Sequence, residues 1–103
     1  MELATKNDFE KPTIELIPPR SIFAAARAFK YGADKYDANN WRKGLRHSRL
    51  FGALQRHLWS YWGGEDMDEE SGLHHLDHAM ACMCMLVENA YTREDLDDRF
   101  KPD

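Results

Sequence analysis

A pair of apolar segments joined by an acidic turn constrains the fold of this chain more than any other feature. Residues 48–62 bring their apolar side chains to one face when wound at about 100° per residue, and His57 lies in the middle of that face. Residues 73–91 are apolar almost all round, which is typical of a helix that packs on more than one side. His75 and His78 share one face of this second helix. The residues left for solvent on it are His74, Asp77 and Glu88.

The place where these two helices meet the turn is predicted to be a metal or substrate site. His57, His75 and His78 all point into packed surfaces, and each buried imidazole nitrogen needs a partner. The carboxylates that the turn supplies are Glu65, Asp66, Asp68, Glu69 and Glu70. The alternative is that the histidines are satisfied core residues. The acidic residues would then be first-turn charges of the second helix, with Asp68 or Glu69 as its cap.

The rest of the chain predicts one further main helix and a short last turn. The 103 residues suffice for one domain, in which residues 1–11 form a flexible N-terminal arm and residues 12–103 a single all-α unit. Pro19 suits the first turn of the new helix, and Gly32 is expected to end or weaken it. Thr92 is expected to open the last turn. The residues expected to dock the arm on the core are Ile14, Leu16 and Ile17.

A basic loop with aromatic residues follows the first helix. Its cations and rings are Lys35, Tyr36, Trp41, Arg42, Lys43 and Arg46. Such a loop can hold a nucleotide, with the cations on phosphate and the rings stacked on a base. Carboxylates at the other end of the site would hold a divalent ion on the phosphates. The alternative is that Trp41 covers the core and that the basic run is a solvated surface.

The composition argues against several other classes of protein. A formal net charge of -4 disfavours nonspecific binding to duplex nucleic acid. No apolar run approaches the ~20 residues of a membrane span, and no signal peptide is expected. Cys82 and Cys84 point about 200° apart on a helix and cannot bridge each other. We expect free, buried thiols and a cytoplasmic protein, because such thiols fit a reducing compartment.

These observations predict an all-α architecture, an antiparallel bundle of about three main helices. Three helices of this size expose more apolar side chain than a monomer easily hides, and the residues concerned are Trp59, Trp62, Met85 and Leu86. A homodimer or a dimer of dimers would complete a bundle of the four-helix type. The alternative is that Trp59 and Trp62 pack on the N-terminal arm.

Several long motifs carry a resemblance to a known family. They read KP…LIPP, YGAxKY…NW, RHLxxW and GEDxDxESGLxHLxHA, and they extend over about residues 11–88. On these motifs the chain resembles the dATP/dGTP diphosphohydrolase N-terminal domain family, found largely in phages and prophages. The resemblance implies a MazG-like all-α fold and cleavage of a nucleoside triphosphate between its α and β phosphates. It also implies a role in adjusting the nucleotide pool during phage infection, in the cytoplasm of the bacterial host.

The chain departs from the MazG pattern at its metal ligands. Enzymes of that type hold magnesium with four carboxylates, in an ExxE motif on one helix and an ExxD motif on the next. This chain has no ExxE in the first helix of the pair, and His75 and His78 stand at the ExxD spacing. Histidine favours zinc, manganese, iron or nickel over magnesium. Either the metal differs, with Glu65 and Asp68 as carboxylate ligands, or the site is remodelled, or the fold binds a nucleotide without cutting it.

The resemblance gives each candidate residue an expected role in hydrolysing a purine deoxynucleoside triphosphate, dATP or dGTP, to monophosphate and pyrophosphate. The expected ligands of one or two divalent ions (Mn or Mg, with Zn, Fe or Ni as alternatives) are His57, Glu65, Asp68, His75 and His78. The ion would polarise the phosphoryl group and lower the pKa of a water molecule. The catalytic carboxylates would be Glu65, Asp66 and Glu70, with Asp66 or Glu70 as general base. The expected nucleotide contacts are Lys35 and Arg56 at the departing pyrophosphate, Tyr36 at the sugar, and Asn40 and Trp41 at the purine.

Two other classes of function remain open on the sequence. A non-catalytic phage protein that sequesters a nucleotide or a nucleotide signal would share the basic aromatic loop but would need no activated water. A structural or interaction module would use the histidines as a buried polar network. It would bind no metal, and nucleotide would not change its melting temperature.

Overall fold

Three α-helices dominate the structure, a computed structural model that describes residues 1–103. The α-helices are α1 (Pro19–Lys35), α2 (His47–Trp62) and α3 (His75–Thr92). Short 3-10 helices lie at Ile14–Leu16, Asn40–Lys43 and Glu94–Leu96. There is no strand, only an isolated β-bridge between Met67 and His74 in the turn before α3. The all-α prediction is confirmed, and the three helices pack together.

Helix α1 begins at a proline and buries a row of alanines. Pro19 occupies its first turn, where backbone N–H groups have no partner within the helix, so the N–H that proline lacks is not needed. The buried residues of α1 are Ala24, Ala25 and Ala28, whose small side chains allow close approach to α3. Gly32 does not end the helix, which continues to Lys35. A glycine inside a helix costs only about 1 kcal/mol relative to alanine, so tertiary packing can carry the helix past it.

Helix α3 lies at the centre because it packs on both α1 and α2. Its buried Ala79 and Cys82 meet Leu54 of α2 in a small apolar core. On the α1 side, the carboxylate of Asp77 accepts two hydrogen bonds from Arg27, at 2.9 and 3.1 Å. The prediction that Asp77 faces solvent is therefore wrong, since only 5% of the residue is exposed. A buried carboxylate needs a partner of this kind, and α1 supplies it.

Contacts at both ends of the α2–α3 pair establish that these two helices run antiparallel. Near the end of α2, the imidazole of His57 meets that of His75 at the start of α3. At the other end, the side-chain amide of Asn89 donates to the carbonyl oxygen of Leu45, just before α2, at 3.2 Å. Thr92 is the last residue of α3 and its hydroxyl donates to a carbonyl oxygen of the same helix. Its predicted role in opening the last turn is therefore wrong.

Much apolar side chain remains exposed on this bundle. Trp59 and Trp62 of α2 are 69% and 81% exposed, so they do not pack on the N-terminal arm. Ile14, Leu16 and Ile17 are exposed as well, and their predicted docking on the core is wrong because the 3-10 helix that begins with Ile14 buries no residue. No helix is long and apolar enough to cross a membrane.

The two cysteines of α3 are both free, as predicted. Cys82 is buried in the core, but Cys84 is exposed. Residues two apart on a helix point about 200° apart, so a core that covers one of them leaves the other on the opposite side. The predicted burial of Cys84 is therefore wrong.

Candidate active site

The turn between α2 and α3 is held in one shape by its own backbone. The backbone amide of Asp68 donates to the carbonyl oxygen of Leu73 at 2.7 Å. The backbone amide of Gly72 donates to the carbonyl oxygen of Asp68 at 2.8 Å. Gly72 has a φ of 73°, a left-handed conformation that glycine adopts without strain. The amide of His75 donates to the carbonyl oxygen of Asp66 at 2.8 Å. These bonds fix the acidic residues against the start of α3.

Helix α3 is capped by a histidine and not by an acidic residue. His74 is the N-cap, and its Nδ1 accepts a hydrogen bond of 3.0 Å from the backbone amide two residues on. The prediction that Asp68 or Glu69 caps this helix is wrong because the helix begins only at His75. The carboxylate of Asp68 instead accepts a hydrogen bond of 2.9 Å from the amide of Ser71, within the turn.

Two histidines and one aspartate form a group that can hold a metal ion. One ligand atom from each of His57, Asp68 and His75 lies within 4.8 Å of the other two. The Nδ1 atoms of His57 and His75 are 2.9 Å apart. Two nitrogens that bind one ion at about 2.0–2.1 Å, with an angle of about 90–109° between the bonds, lie about 2.8–3.4 Å apart, so the spacing fits a shared ion. Two imidazoles and a carboxylate suit zinc or manganese.

His78 completes the histidine cluster. Its ring stacks on that of His57, with the centroids 4.6 Å apart and the planes at 12°. Its Nε2 shares a hydrogen bond of 2.6 Å with the hydroxyl of Ser71 and lies 3.8 Å from the carboxylate of Asp68. The ring centroids of His57 and His75 are 5.2 Å apart. The structure thus brings together the three histidines that the sequence pattern placed on inward faces.

Burial favours the neutral form of two of these histidines. Burial lowers the pKa of His57, and repulsion from the charged forms of His78 and His75 lowers it further. Burial also lowers the pKa of His78, against the carboxylate of Asp68, which raises it. Burial by itself raises the pKa of Asp68, but hydrogen bonds from the amide and hydroxyl of Ser71 outweigh that effect and lower it. Neutral imidazoles and an ionised carboxylate are the forms that bind metal.

The other predicted carboxylates have different surroundings. Glu65 lies 2.7 Å from Nε2 of His75, and Glu70 accepts a hydrogen bond of 2.7 Å from the ammonium of Lys35. Asp66 contributes its backbone carbonyl oxygen to the amide of His75 and leaves its side chain exposed. The group of three mutually close ligand atoms therefore contains Asp68 as its carboxylate and none of the other three.

The basic loop forms one wall of a cavity of about 520 Å³. Tyr36, Asn40 and Trp41 all line this cavity, which was the set predicted to contact the base and sugar. Helix α3 contributes Ala81 and Met85 to the lining. Most of the lining residues are apolar, with a few amide and charged groups among them, which is the usual composition of a site for a small molecule.

Trp41 has one side on the bundle and another under a cation. Its ring centroid is 6.3 Å from that of Phe29 of α1, at a tilt of 52°. The guanidinium carbon of Arg42 lies 4.4 Å from the Trp41 centroid, within cation–π range. Trp41 therefore covers part of α1 and also lines the cavity, so the two sequence-based interpretations of this residue are compatible.

Lys35 lies near two tyrosines, of which one lines the cavity and the other contacts the histidine cluster. Its Nζ lies 5.4 Å from the ring centroid of Tyr36, which lines the cavity, and 5.8 Å from that of Tyr31. The ring of Tyr31 in turn meets His78 edge on, with 5.8 Å between the centroids. The hydrogen bond to Glu70 raises the pKa of Lys35, so the ammonium stays charged.

The sequence pattern also missed two residues of the site and included one that lies outside the cavity. Arg56 is exposed on α2 and does not line the cavity. Tyr31 and Ser71 were not singled out, yet both contact His78. Tyr31 carried a usable signal, since it lies four residues before Lys35 on the same face of α1. The contact of Ser71 depends on the path of the turn and had no such signal.

Comparison with known proteins agrees with the resemblance noted in the motifs. The family described as "dATP/dGTP diphosphohydrolase, N-terminal" matches residues 2–99. A "dATP/dGTP diphosphohydrolase" from Salmonella phage PMBT28 is 36% identical over 94 residues, which make up 91% of this chain and 32% of that relative. The chain thus spans about a third of the relative's length. No solved structure matches the chain. With nearly all of its residues matched, the chain belongs to the dATP/dGTP diphosphohydrolase N-terminal family.

Proposed function

We propose that this chain contributes to metal-dependent hydrolysis of a purine deoxynucleoside triphosphate, dATP or dGTP, to the monophosphate and pyrophosphate. The observation that carries the proposal is the position of Lys35, whose ammonium lies near Tyr36 of a largely apolar cavity and near Tyr31, which contacts the histidine cluster. A nucleotide has groups that match these parts of the site, because its flat base suits the apolar cavity and its anionic phosphates suit the ammonium and a metal ion. Membership of the family and the activity named for the phage relative support the same function.

The proposed metal ligands are His57, Asp68 and His75, whose donor atoms are mutually close. A divalent ion held there (manganese or magnesium, with zinc, iron or nickel as alternatives) would supply Lewis acidity to the phosphoryl group and lower the pKa of a water molecule. His78 would support His57 by stacking on it, and it is near enough to Asp68 to serve a second ion.

The nucleotide would lie along α3, with its base in the cavity and its phosphates at the cluster. At a rise of about 1.5 Å per residue, Ala81 and Met85 of the cavity wall lie about 4.5 and 10.5 Å beyond His78 along the helix axis. The span of a sugar and its phosphates is of this order. Asn40 and Trp41 would bind the purine, and Tyr36 would contact the sugar.

Lys35 would bind the departing pyrophosphate by exchanging partners. In this structure its ammonium holds Glu70, and an arriving phosphate would compete for the same donor. Glu70 would then be free to accept the proton of the attacking water. Asp66, whose side chain is exposed, is the second candidate for that role. Arg56 is proposed to act on the phosphates only through its charge, since it is exposed on α2 and does not line the cavity.

Binding without hydrolysis is a second candidate function, and one observation favours it. Asp68 is the one carboxylate in the group of mutually close metal ligands, whereas the resemblance to enzymes of the MazG type implies four. A site so reduced in negative charge would suit a protein that sequesters a nucleotide during infection. Such a protein would still use the cavity and Lys35.

A product assay separates the two candidates. The purified chain is incubated with dATP, dGTP, dCTP and dTTP in turn, with Mn²⁺ or Mg²⁺, and the products are separated by ion exchange. Asp68→Asn serves as the test variant, and Glu69→Gln is its matched control, because Glu69 is an exposed carboxylate of the same turn. We expect purine monophosphate and pyrophosphate from the unmodified chain and from Glu69→Gln. Chelation or Asp68→Asn is expected to abolish both products.

The outcomes assign the function between the candidates. Intact triphosphates under every metal, together with nucleotide-dependent thermal stabilisation, would favour sequestration over hydrolysis. Intact triphosphates without any stabilisation would refute nucleotide binding by this chain. Full turnover in Asp68→Asn would refute the proposed metal site while leaving the reaction itself in place.

The exposed apolar surface of α2 supports a proposal about assembly. Trp59 and Trp62 lie on that surface with most of their area accessible. Large exposed apolar patches usually mark a partner surface, so we propose a homodimer or a dimer of dimers. Light scattering of the purified chain tests it, and a monomer at micromolar concentration would refute it. The proposed setting is the cytoplasm of a bacterial host, where such an enzyme would adjust the nucleotide pool during infection.

A further inference from the structure

We infer that Glu65 is a positioning residue for the metal centre and not one of its ligands. Its carboxylate holds the Nε2–H of His75 and thereby turns the Nδ1 of His75 toward His57, the other histidine of the proposed ligand group. The inference rests on the proposed metal site, and it assigns the two neighbouring carboxylates of the turn to different tasks. Asp68 would bind the ion, and Glu65 would orient the imidazole that binds it.

The contact between Glu65 and His75 is close and well placed for this task. Nε2 of His75 lies 2.7 Å from Oε1 of Glu65. The His75 side chain is only 4% exposed, whereas that of Glu65 is 54% exposed. The imidazole therefore sits inside the bundle with one nitrogen reaching the rim, and the carboxylate covers that nitrogen from the solvent side. The backbone amide of Glu65 donates to the carbonyl oxygen of Ser60 at 3.0 Å, which ties this residue to the end of α2.

The chemistry of the two groups decides which nitrogen carries the proton. An ionised carboxylate only accepts hydrogen bonds, and a neutral imidazole has one N–H and one bare nitrogen. Because Nε2 faces Glu65, Nε2 carries the proton and Nδ1 is bare. This bare Nδ1 lies 2.9 Å from Nδ1 of His57, and both histidines belong to the group of possible ligands that includes Asp68. In the metal-free chain the Nδ1–H of His57 donates to this bare nitrogen. Only a bare nitrogen can bind a metal ion, so an ion shared by the two rings would displace that one proton from His57.

The same geometry keeps Glu65 away from the ion. Its oxygen lies at the ring nitrogen opposite the one that faces His57. An ion bound at Nδ1 of His75 is thus separated from this carboxylate by the imidazole ring. Histidine ligands commonly donate their second N–H to a carboxylate, which fixes the ring and raises its basicity, and losing such a partner costs about 10–100-fold in metal affinity.

Two measurements on the whole chain test this assignment. The first is long-range ¹H–¹⁵N NMR of the metal-free protein, which reports the tautomer of His75. The second is titration with Co²⁺ alone, followed by visible absorption, which gives both the affinity and the ligand field of the bound ion. The variants are Glu65→Ala, Glu65→Gln and Asp68→Asn, with Glu69→Gln as the control in the same turn.

Positioning and ligation predict different patterns. We expect Glu65→Ala to weaken Co²⁺ binding about 10–100-fold, with an unchanged spectrum at saturation and a mixed His75 tautomer. Glu65→Gln should bind nearly as the unmodified chain does, because its amide oxygen still accepts from Nε2–H. Asp68→Asn should alter the saturated spectrum as well as the affinity. Glu69→Gln should change neither.

Other outcomes would overturn the inference and are distinguishable from failure of the proposed function. A saturated spectrum altered by Glu65→Ala would make Glu65 a ligand. Affinity and tautomer both unchanged in Glu65→Ala would remove any role for it, and in both cases the metal site itself would stand. If the unmodified chain bound no Co²⁺, Mn²⁺ or Zn²⁺, the metal site and this inference would fall together.

Discussion

Gly32 offers a substitution that should raise the stability of this protein. It lies inside α1, and a Cβ added there meets no atom within 4 Å. Its backbone is not in the left-handed region, so alanine fits without strain. Glycine inside a helix is about 0.8–1.0 kcal/mol less favourable than alanine, chiefly through the freedom that it retains when unfolded. Gly32→Ala should therefore stabilise the fold by about that amount.

The size of the protein converts this free energy into a melting temperature. Unfolding entropy is about 2.1 cal/mol/K per residue. For 103 residues, a stabilisation of about 0.8–1.0 kcal/mol corresponds to a rise in Tm of about 4–5 °C. Differential scanning calorimetry of the metal-free chain measures the shift directly. Ala33→Gly, one residue along α1, is the matched control and should lower Tm by a similar amount.

The result that would refute this reasoning is a Tm that falls or stays constant in Gly32→Ala. It would mean that the added methyl group meets an obstacle, since the helical preference itself is not in question. Equal shifts of the same sign in Gly32→Ala and Ala33→Gly would also contradict the account, because the two substitutions move helix propensity in opposite directions.

Two further perturbations probe the cluster and the core. Burial lowers the pKa values of His57 and His78, so the unfolded chain binds protons more readily than the folded one. The free energy of unfolding of the metal-free protein should therefore be highest above the ordinary imidazole pKa of about 6.5 and should fall as the pH drops below it. Urea midpoints between pH 5 and 8 test this, and a midpoint that rises on acidification would reverse the sign. Leu54→Ala should cost about 2–3 kcal/mol by the same assay because it empties the contact with Ala79 and Cys82, whereas Leu54→Met should cost less than about 1.5 kcal/mol.

Periodicity predicted the helical pair well because its signal is local. The apolar stripe of α2 and the nearly all-apolar α3 define both helices, and the inward faces of His57, His75 and His78 follow from the same angles. The start of α3 was placed two residues early, at residue 73, because its cap is the imidazole of His74 and the usual capping side chains lie further back in the turn. Asp77 was misplaced because its partner on α1 is fifty residues away in sequence.

The division of labour among the acidic residues could not be predicted from the sequence. Glu65, Asp68 and Glu70 are all carboxylates of the same turn, so their residue types do not distinguish them. The path of the turn decides what each one contacts. That path depends on backbone hydrogen bonds and on the left-handed conformation of Gly72. Neither of these produces a periodic pattern in the sequence. The cavity was foreseen only as a basic aromatic loop, since its far wall comes from α3.

The central position of α3 means that the length of this helix fixes the distance between the cavity and the histidine cluster. It carries His78 near one end and the cavity residues Ala81 and Met85 further along, and both α1 and α2 pack against it. Under the proposed function, substitutions in α3 would alter affinities but leave the spacing between base and metal unchanged. Inserting or deleting a whole helical turn would move one end relative to the other by about 5.4 Å. The phosphate presented for attack would then be set by the length of the backbone between His78 and Met85, which an exchange of side chains leaves unaltered.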